Sequence, residues 1–166
     1  EASTLRDVTL TPVHGGVTAP EGFRSAALHC GIKAAAQALD LTVIAADGNA
    51  SAAGLFTTNL AQAAPVLVSR QHLLRTGGVA RAIVVNSGCA NACTGEQGLS
   101  DATRMAADVA AALSCDPAHV LVASTGVIGV NLKMDRVSSG IRGAIAGLAR
   151  GKGSETARAI MTTDPF

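Results

Sequence analysis

The sequence predicts a single α/β domain, spanning residues 1–166, in which a mixed β-sheet is covered by helices. Short apolar runs that stop at glycines cluster in the first half of the chain, and later runs alternate with segments of helical periodicity. The composition is 48% hydrophobic but only 2% aromatic, so the core must consist of Ala, Val, Leu and Ile. A chain of 166 residues is long enough to bury such a core.

The strands are predicted from apolar runs bounded by turn residues. Residues 1–25 are rich in Gly and Pro and read as an extended entry segment with turns. The run 51–59 follows an Asp-Gly-Asn turn at hairpin distance from 40–47, so these two and the run before them are expected to share one sheet. Continuous apolar runs that end at a glycine or a polar break indicate buried strands. The predicted strands are 25–33, 40–47, 51–59, 65–68, 80–88 and 119–124.

The helices are predicted from apolar residues that recur every three or four positions. The clearest runs over about 99–113, with either Thr94 and Gln97 or Ser100 and Asp101 at its start. A second covers about 134–149, and a third covers 155–161. A short helix is also expected after residue 68, closed by Gly77 and Gly78.

Charge and composition exclude several classes of function. With 13 basic and 12 acidic residues the net charge is +1, which gives no electrostatic footprint for nucleic acid. No apolar stretch approaches the roughly 20 residues of a membrane span. The first residues, EASTLRDVTL, have no secretory pattern. Four cysteines in a chain of this size fit reduced thiols better than disulfides, and a cytoplasmic location is expected.

The polar turn VNSGCANACTG, at 85–95, is one candidate for chemistry. Its Asn and Ser side chains can satisfy turn backbone or hold a ligand with similar reach. Cys89 and Cys93 are four residues apart, but no second Cys or His pair with ligand spacing accompanies them, so structural zinc is the minor interpretation. We expect this turn to shape a site without a bound metal or cofactor.

The run LVASTGVIGV, at 121–130, breaks at Ser124, Thr125 and Gly126. No His or carboxylate within four residues supplies a base for either hydroxyl. A glycine after a buried strand can aim its N–H beyond the sheet, and a neighbouring hydroxyl adds a second donor, as an oxyanion hole requires. Spacing alone favours an ordinary turn at this point and leaves the oxyanion hole as the alternative.

Five stretches together resemble one family. GVTAPEGFRSAALHCGIK (16–33), GLFTTNLAQAAPV (54–66), VNSGCANACTG (85–95), VASTGVIG (122–129) and ARAIMTTD (157–164) occur in the order and at the spacing found in the ornithine acetyltransferases, also called glutamate N-acetyltransferases, of the cyclic arginine pathway. The resemblance covers nearly the whole chain. It implies the αββα architecture of enzymes with an N-terminal nucleophile.

The resemblance also implies an activity and a division of labour. Family members cut themselves before a threonine into an α and a β chain, and that threonine, activated by its own α-amino group, takes the acetyl group from N2-acetylornithine and passes it to glutamate. This chain resembles the α chain of an α2β2 heterotetramer, with the nucleophile outside it. Thr125 and Gly126 match the family's oxyanion hole, and Thr162 matches a substrate-binding threonine. Some members also accept acetyl-CoA, which the sequence leaves open.

Two positions depart from the family pattern. Cys89 stands where many relatives have Asn, and Lys133 replaces a frequent Pro.

Two rival functions stay open at this point. One is an aminopeptidase or amidohydrolase of the same architecture, which hydrolyses the acyl group. The other is a non-catalytic binding or metal domain built on the turn that holds Cys89 and Cys93.

Overall fold

The fold is built on one four-stranded mixed sheet. The computed structural model describes residues 11–163. The strands lie side by side in chain order, with β1 antiparallel to β2, β2 antiparallel to β3, and β3 parallel to β4. They are β1 (Phe23–Leu28), β2 (Leu41–Ser51), β3 (Val79–Cys89) and β4 (Val120–Val127). The predicted mixed sheet is confirmed.

Four helices accompany this sheet in the described part of the chain. Helix α2 begins four residues earlier than predicted, with Thr94 at its N-cap. Helix α3 begins where predicted but ends three residues earlier, and α4 begins two residues and ends one residue earlier than predicted. Short 3₁₀ turns occupy 16–18 and 117–119. The helices are α1 (Ala64–Thr76), α2 (Gly95–Leu113), α3 (Met134–Ala146) and α4 (Gly153–Ile160). None of the helices described is long and apolar enough to cross a membrane.

The hydrophobic core lies between one face of the sheet and helices α1, α2 and α3. Alternate residues of the two central strands supply the sheet side, because successive side chains in a strand point to opposite faces. Leu41 and Val43 of β2 and Val84 of β3 are fully buried there. The helices supply small and branched side chains, among them Met105, Val109, Val137 and Ile141.

Two predicted strands are wrong. Residues 52–60 form no regular strand, and Leu55 and Leu60 are fully exposed, because the neighbours of β2 are already β1 and β3. Residues 65–68 belong to α1, where Pro65 occupies the first turn, a position in which its missing N–H costs nothing. The predicted helix closure is confirmed, since Gly77 ends α1 in the left-handed conformation.

Helix α1 covers the edge of β4 with side-chain hydrogen bonds. The Ser69 hydroxyl donates to the Val122 carbonyl at 2.7 Å and accepts from the Val122 N–H at 2.8 Å. The His72 ring hydrogen-bonds the Val120 carbonyl at 2.7 Å. A strand edge left open carries unpaired backbone groups. These contacts therefore give hydrogen-bond partners to backbone groups on the open edge of β4, the last strand of the sheet.

Candidate active site at the ends of strands β3 and β4

Thr125 and Gly126 lie near the C-terminal end of β4, beside the end of β3. Thr125 pairs with Ser87 and Gly126 with Gly88 in the parallel ladder. The strand continues through Val127, so the predicted polar break lies within the strand and not after it. The register shifts at Cys89, where one residue of β3 faces both Thr125 and Val127. This bulge redirects the strand end, as bulges beside functional sites do.

Gly126 is required by the close approach of the two strands. A Cβ atom at this position would lie 2.4 Å from the carbonyl carbon of Gly88 and 2.6 Å from the nitrogen of Cys89. Gly126 also has a φ of 131°, which side chains disfavour. The glycine predicted from the sequence as a turn residue is thus fixed by both packing and backbone conformation.

A buried amide holds the bulge from behind. Asn86 is fully buried, and its Nδ2 donates to the carbonyl of Cys89 at 2.8 Å. Its Oδ1 accepts from the Ser124 hydroxyl at 2.6 Å. One side chain therefore links the end of β3 to the residue before Thr125. Fully satisfied buried polar groups of this kind fix a single backbone arrangement.

A cleft of about 700 Å³ opens in front of Thr125. It brings together the three residues assigned by resemblance, since Thr125, Gly126 and Thr162 all line it. Thr125 and Thr162 are half-buried, and Gly126 is exposed. The remaining walls are formed by Gly88, Val127, Thr163 and residues 32–35. Asp164, the last residue of the MTTD motif, lies outside the described residues.

Helix α4 packs on the face of the sheet opposite the main core and leads the chain to Thr162 in the cleft. The hydroxyl of Thr156 donates to that of Ser25 at 2.8 Å and lies 3.3 Å from that of Thr42, and all three are fully buried. The Ser87 hydroxyl, next to Thr125 in the ladder, donates to the carbonyl of Ala159. The helix ends at Ile160, two residues before Thr162 in the cleft wall.

Lys33 also reaches the cleft, and sequence reasoning missed it. Its ammonium donates to the carbonyl of Leu39 at 3.0 Å and to that of Met161 at 2.6 Å. Partial burial lowers the pKa of Lys33, and the nearby Asp40 carboxylate opposes that shift. The only available signal was its place at the end of the stretch GVTAPEGFRSAALHCGIK. In the described part of the cleft wall it is the sole ionisable side chain.

The loop that carries Lys33 is wrapped around Asp40. This fully buried carboxylate accepts the N–H groups of Cys30, Gly31, Ile32 and Lys33 at 2.6, 3.1, 2.8 and 3.0 Å. Burial alone would raise its pKa, but the backbone donors outweigh burial and hold the pKa below its ordinary value. The predicted strand 25–33 therefore ends at Leu28, because the following N–H groups serve the carboxylate and not a ladder.

The cysteine turn after β3 lies beside this site. Cys89 is buried, and its thiol donates to the carbonyl of Val130 at 3.1 Å, whereas Cys93 is exposed. Burial raises the pKa of Cys89. Within residues 11–163 no three His, Cys, Asp or Glu side chains group as metal ligands. Asn91 serves the backbone there, since its Nδ2 donates to the carbonyl of Gly98 at 2.8 Å.

Comparison with known proteins links this geometry to one family. The model of the ArgJ family matches residues 24–166. The arginine biosynthesis bifunctional protein ArgJ of Symbiobacterium thermophilum is 52% identical over 153 residues, which are 92% of this chain and 38% of that protein. ArgJ of Dehalococcoides mccartyi is 48% identical over 151 residues, 90% of this chain and 36% of that protein. This chain thus spans little more than a third of these relatives.

Two solved structures have the same fold. The ornithine acetyltransferase of Mycobacterium tuberculosis, crystallised with ornithine, superposes with a TM-score of 0.85 at 45% identity, over 92% of this chain and 81% of that one. ArgJ of Bacillus halodurans superposes with a TM-score of 0.83 at 39% identity, over 92% of this chain and 78% of that one. At these identities the likeness extends beyond the fold to the family.

Proposed function

The chain belongs to the ArgJ family, and on that premise we propose that it supplies the charge-stabilising half of a glutamate N-acetyltransferase. The reaction moves the acetyl group of N2-acetylornithine to glutamate. The observation that carries the proposal is the cleft itself. It unites Thr125 and Gly126 with Thr162, which lies 36 residues further along the chain. This is the set of residues that the family resemblance assigns to one site.

In this proposal Thr125 and Gly126 bind the oxyanion. The N-terminal threonine of the complementary β chain attacks the acetyl carbonyl, and its α-amino group accepts the hydroxyl proton. The carbonyl π electrons move onto oxygen, where the Thr125 hydroxyl and the Gly126 N–H donate hydrogen bonds. Collapse expels ornithine, which takes the proton from the α-ammonium group. The amino group of glutamate then attacks the acetyl ester through a second oxyanion of the same kind. The α-amino group takes the proton that this nitrogen loses and returns it to the threonine oxygen, so that acetylglutamate leaves and the free threonine is restored.

The cleft contents fit a division of the reaction between two chains. Among the described residues lining it, Lys33 is the only ionisable group, and its ammonium is engaged with two carbonyls. None of the described residues lining the cleft then offers a free base for the attacking hydroxyl, and in this proposal the α-amino group of a β chain supplies it. In this proposal Thr162, which lines the same cleft, contacts the substrate beyond its acetyl group.

The uncovered part of the sheet supports the same arrangement. Ile83 of β3 is 37% exposed on the face opposite the main core, and Ile44 and Leu121 beside it are only half-buried. We propose that the β chain adds its sheet layer there, completing the αββα architecture and an α2β2 heterotetramer in the cytoplasm. The reaction proposed needs no metal or cofactor, because all its groups are side chains, backbone and an α-amino group.

The rival function in this architecture is hydrolysis. An aminopeptidase or amidohydrolase would share the nucleophile but pass the acyl group to water. The test uses the full-length protein with N-acetylornithine, with and without glutamate. The proposal predicts acetylglutamate and ornithine in equal amounts when glutamate is present. Free acetate without acetylglutamate would establish hydrolysis instead. A parallel assay with acetyl-CoA as sole donor determines whether that donor is also used.

A further inference from the structure

The ammonium of Lys33 joins two segments that are far apart in sequence. Leu39 lies six residues away, in the same loop, whereas Met161 lies 128 residues away, directly before Thr162. An ammonium has three donors and no acceptor. Two of them are committed here to carbonyls of these two segments. The contact at 2.6 Å to Met161 has the short length of a charge-assisted hydrogen bond.

The loop end of this link is rigid. Asp40 binds four successive backbone N–H groups, including that of Lys33 itself at 3.0 Å. The carboxylate is fully buried, so these hydrogen bonds are shielded from water. Lys33 therefore extends from a fixed backbone position, and its own stem packs near Gly88, where a Cβ would lie 3.0 Å from the Lys33 Cγ.

At the other end of the link, few side-chain hydrogen bonds hold the segment after α4 within the described residues. Helix α4 is anchored upstream, by Thr156 on Ser25 and by Ser87 on the Ala159 carbonyl. After Ile160 the backbone leaves the helix, and Met161 adopts extended angles with φ −64° and ψ 140°. Among the described residues, the side-chain hydrogen bond to this segment comes from Lys33. Lys33 thus supplies a side-chain hydrogen bond to the residue directly before Thr162.

We propose that Lys33 is a positioning residue that holds Thr162 in the substrate cleft through the carbonyl of Met161, with Asp40 as its anchor. The inference rests on the proposed function for the role of Thr162 in substrate binding. Lys33 acts on substrate through Thr162, so its loss weakens binding of N-acetylornithine and leaves the oxyanion hole intact. KM should respond, and kcat should change little.

Crystallography and kinetics on the full-length protein test this inference together. In a crystal structure of Lys33→Met, residues 161–163 should shift so that Thr162 leaves the cleft, while α4 and residues 30–33 keep their positions. KM for N-acetylornithine should rise about tenfold, with kcat within about threefold. Lys33→Arg, which keeps a charged donor, should recover part of both effects. Lys133→Met, a change at the exposed lysine that directly precedes α3, is the matched control.

A double-mutant cycle separates positioning from a general structural role. In a Thr162→Ala background, Lys33→Met should raise KM by less than about twofold, because the group it positions is gone. Full additivity overturns the inference, as does a Lys33→Met structure in which residues 161–163 are unmoved or the whole of α4 is displaced. If Lys33→Met does not fold, Lys33→Gln is used in the same cycle. The structural result holds even if the wild type makes no acetylglutamate, which would refute the proposed function alone.

Discussion

Gly126 lies so close to Gly88 that a Cβ on it would come within 2.4 Å of the Gly88 carbonyl carbon. The two glycines are paired across β3 and β4, and both have positive φ, 131° and 104°. Neither strand end can move away freely, because Asn86 ties Cys89 to Ser124. The backbone N–H of Gly126 is therefore fixed in direction by packing on one side and hydrogen bonding on the other.

Gly126→Ala is expected to destabilise the protein. Overpacking against backbone costs about 1–3 kcal/mol, and the left-handed φ adds about 1 kcal/mol. The matched control is Gly129→Ala, because Gly129 has φ 79° but open space around it, so only the conformational cost of about 1 kcal/mol applies. Chemical denaturation of both variants measures the difference. Equal stability of the two would contradict the close approach of the strands.

Thr125→Ala is expected to lower kcat about 100-fold without changing the fold. The substitution removes one of two oxyanion donors, and Thr125 is only half-buried, so little packing is lost. Thr125→Ser keeps the hydroxyl and should retain most of the turnover. Steady-state kinetics with circular dichroism on the full-length protein provide the measurement. Wild-type turnover in a folded Thr125→Ala variant would contradict a role for Thr125 in the oxyanion hole.

Asp40→Asn is expected to cost about 1–3 kcal/mol at neutral pH, because a buried backbone donor then faces an amide NH₂ group. The control is Asp47→Asn, which removes an exposed ion pair with Arg24 and should cost at most about 1 kcal/mol. Urea denaturation of each variant gives the two values. If Asp40→Asn costs no more than Asp47→Asn, the loop is not organised by the carboxylate.

The lowered pKa of Asp40 also predicts how its contribution depends on pH. Its folded pKa lies below the ordinary value of 3.8, so the folded state holds the proton less tightly than the unfolded state does. The contribution of Asp40 to the free energy of unfolding is complete at pH values above the ordinary pKa of 3.8. It is lost as the pH falls from 3.8 through the pKa of the folded state. The stability gap between wild type and Asp40→Asn should narrow over this acid range. A stability gap that widens on acidification would contradict a lowered pKa of Asp40 in the folded state.

Alkylation should distinguish the cysteines. Cys93 is exposed, whereas burial, with the Asp40 charge nearby, raises the pKa of Cys30 to about 12. The thiolate is the reactive form, so Cys93 should react with iodoacetamide well before Cys30 at pH 7.5. Peptide mapping at successive times identifies the order, and Cys93→Ser should lose the fast phase. Early modification of Cys30 would contradict its placement in the Asp40 loop.

Much of the fold was predictable because its elements follow simple periodicities. The strands at 80–88 and 119–124 and the helix from 99 are long, uninterrupted patterns, and all three are present. The strands predicted at 51–59 and 65–68 failed because the features that decide them are tertiary. The first segment has no free edge of β2 to pair with, because β1 and β3 already flank that strand. The second segment is part of the helix that covers the edge of β4.

The site was predictable only where residues are local in sequence. Thr125 and Gly126 form a visible break in an apolar run, although spacing alone favoured an ordinary turn there. Lys33 and Asp40 gave no such signal, because a lone lysine and a lone aspartate have no motif of their own. Their roles arise from the loop that folds around the carboxylate and from a hydrogen bond across 128 residues. Such contacts exist only in the folded chain.

A crystal structure of the full-length protein in its acetylated state tests the central claim most directly. Incubation with N-acetylornithine in the absence of glutamate should accumulate this state. The acetyl carbonyl oxygen is predicted to lie about 2.7–3.1 Å from both the Thr125 Oγ1 and the Gly126 nitrogen, inside the cleft that Thr162 borders. An acetyl group held elsewhere, or a carbonyl oxygen turned away from both donors, would contradict the account.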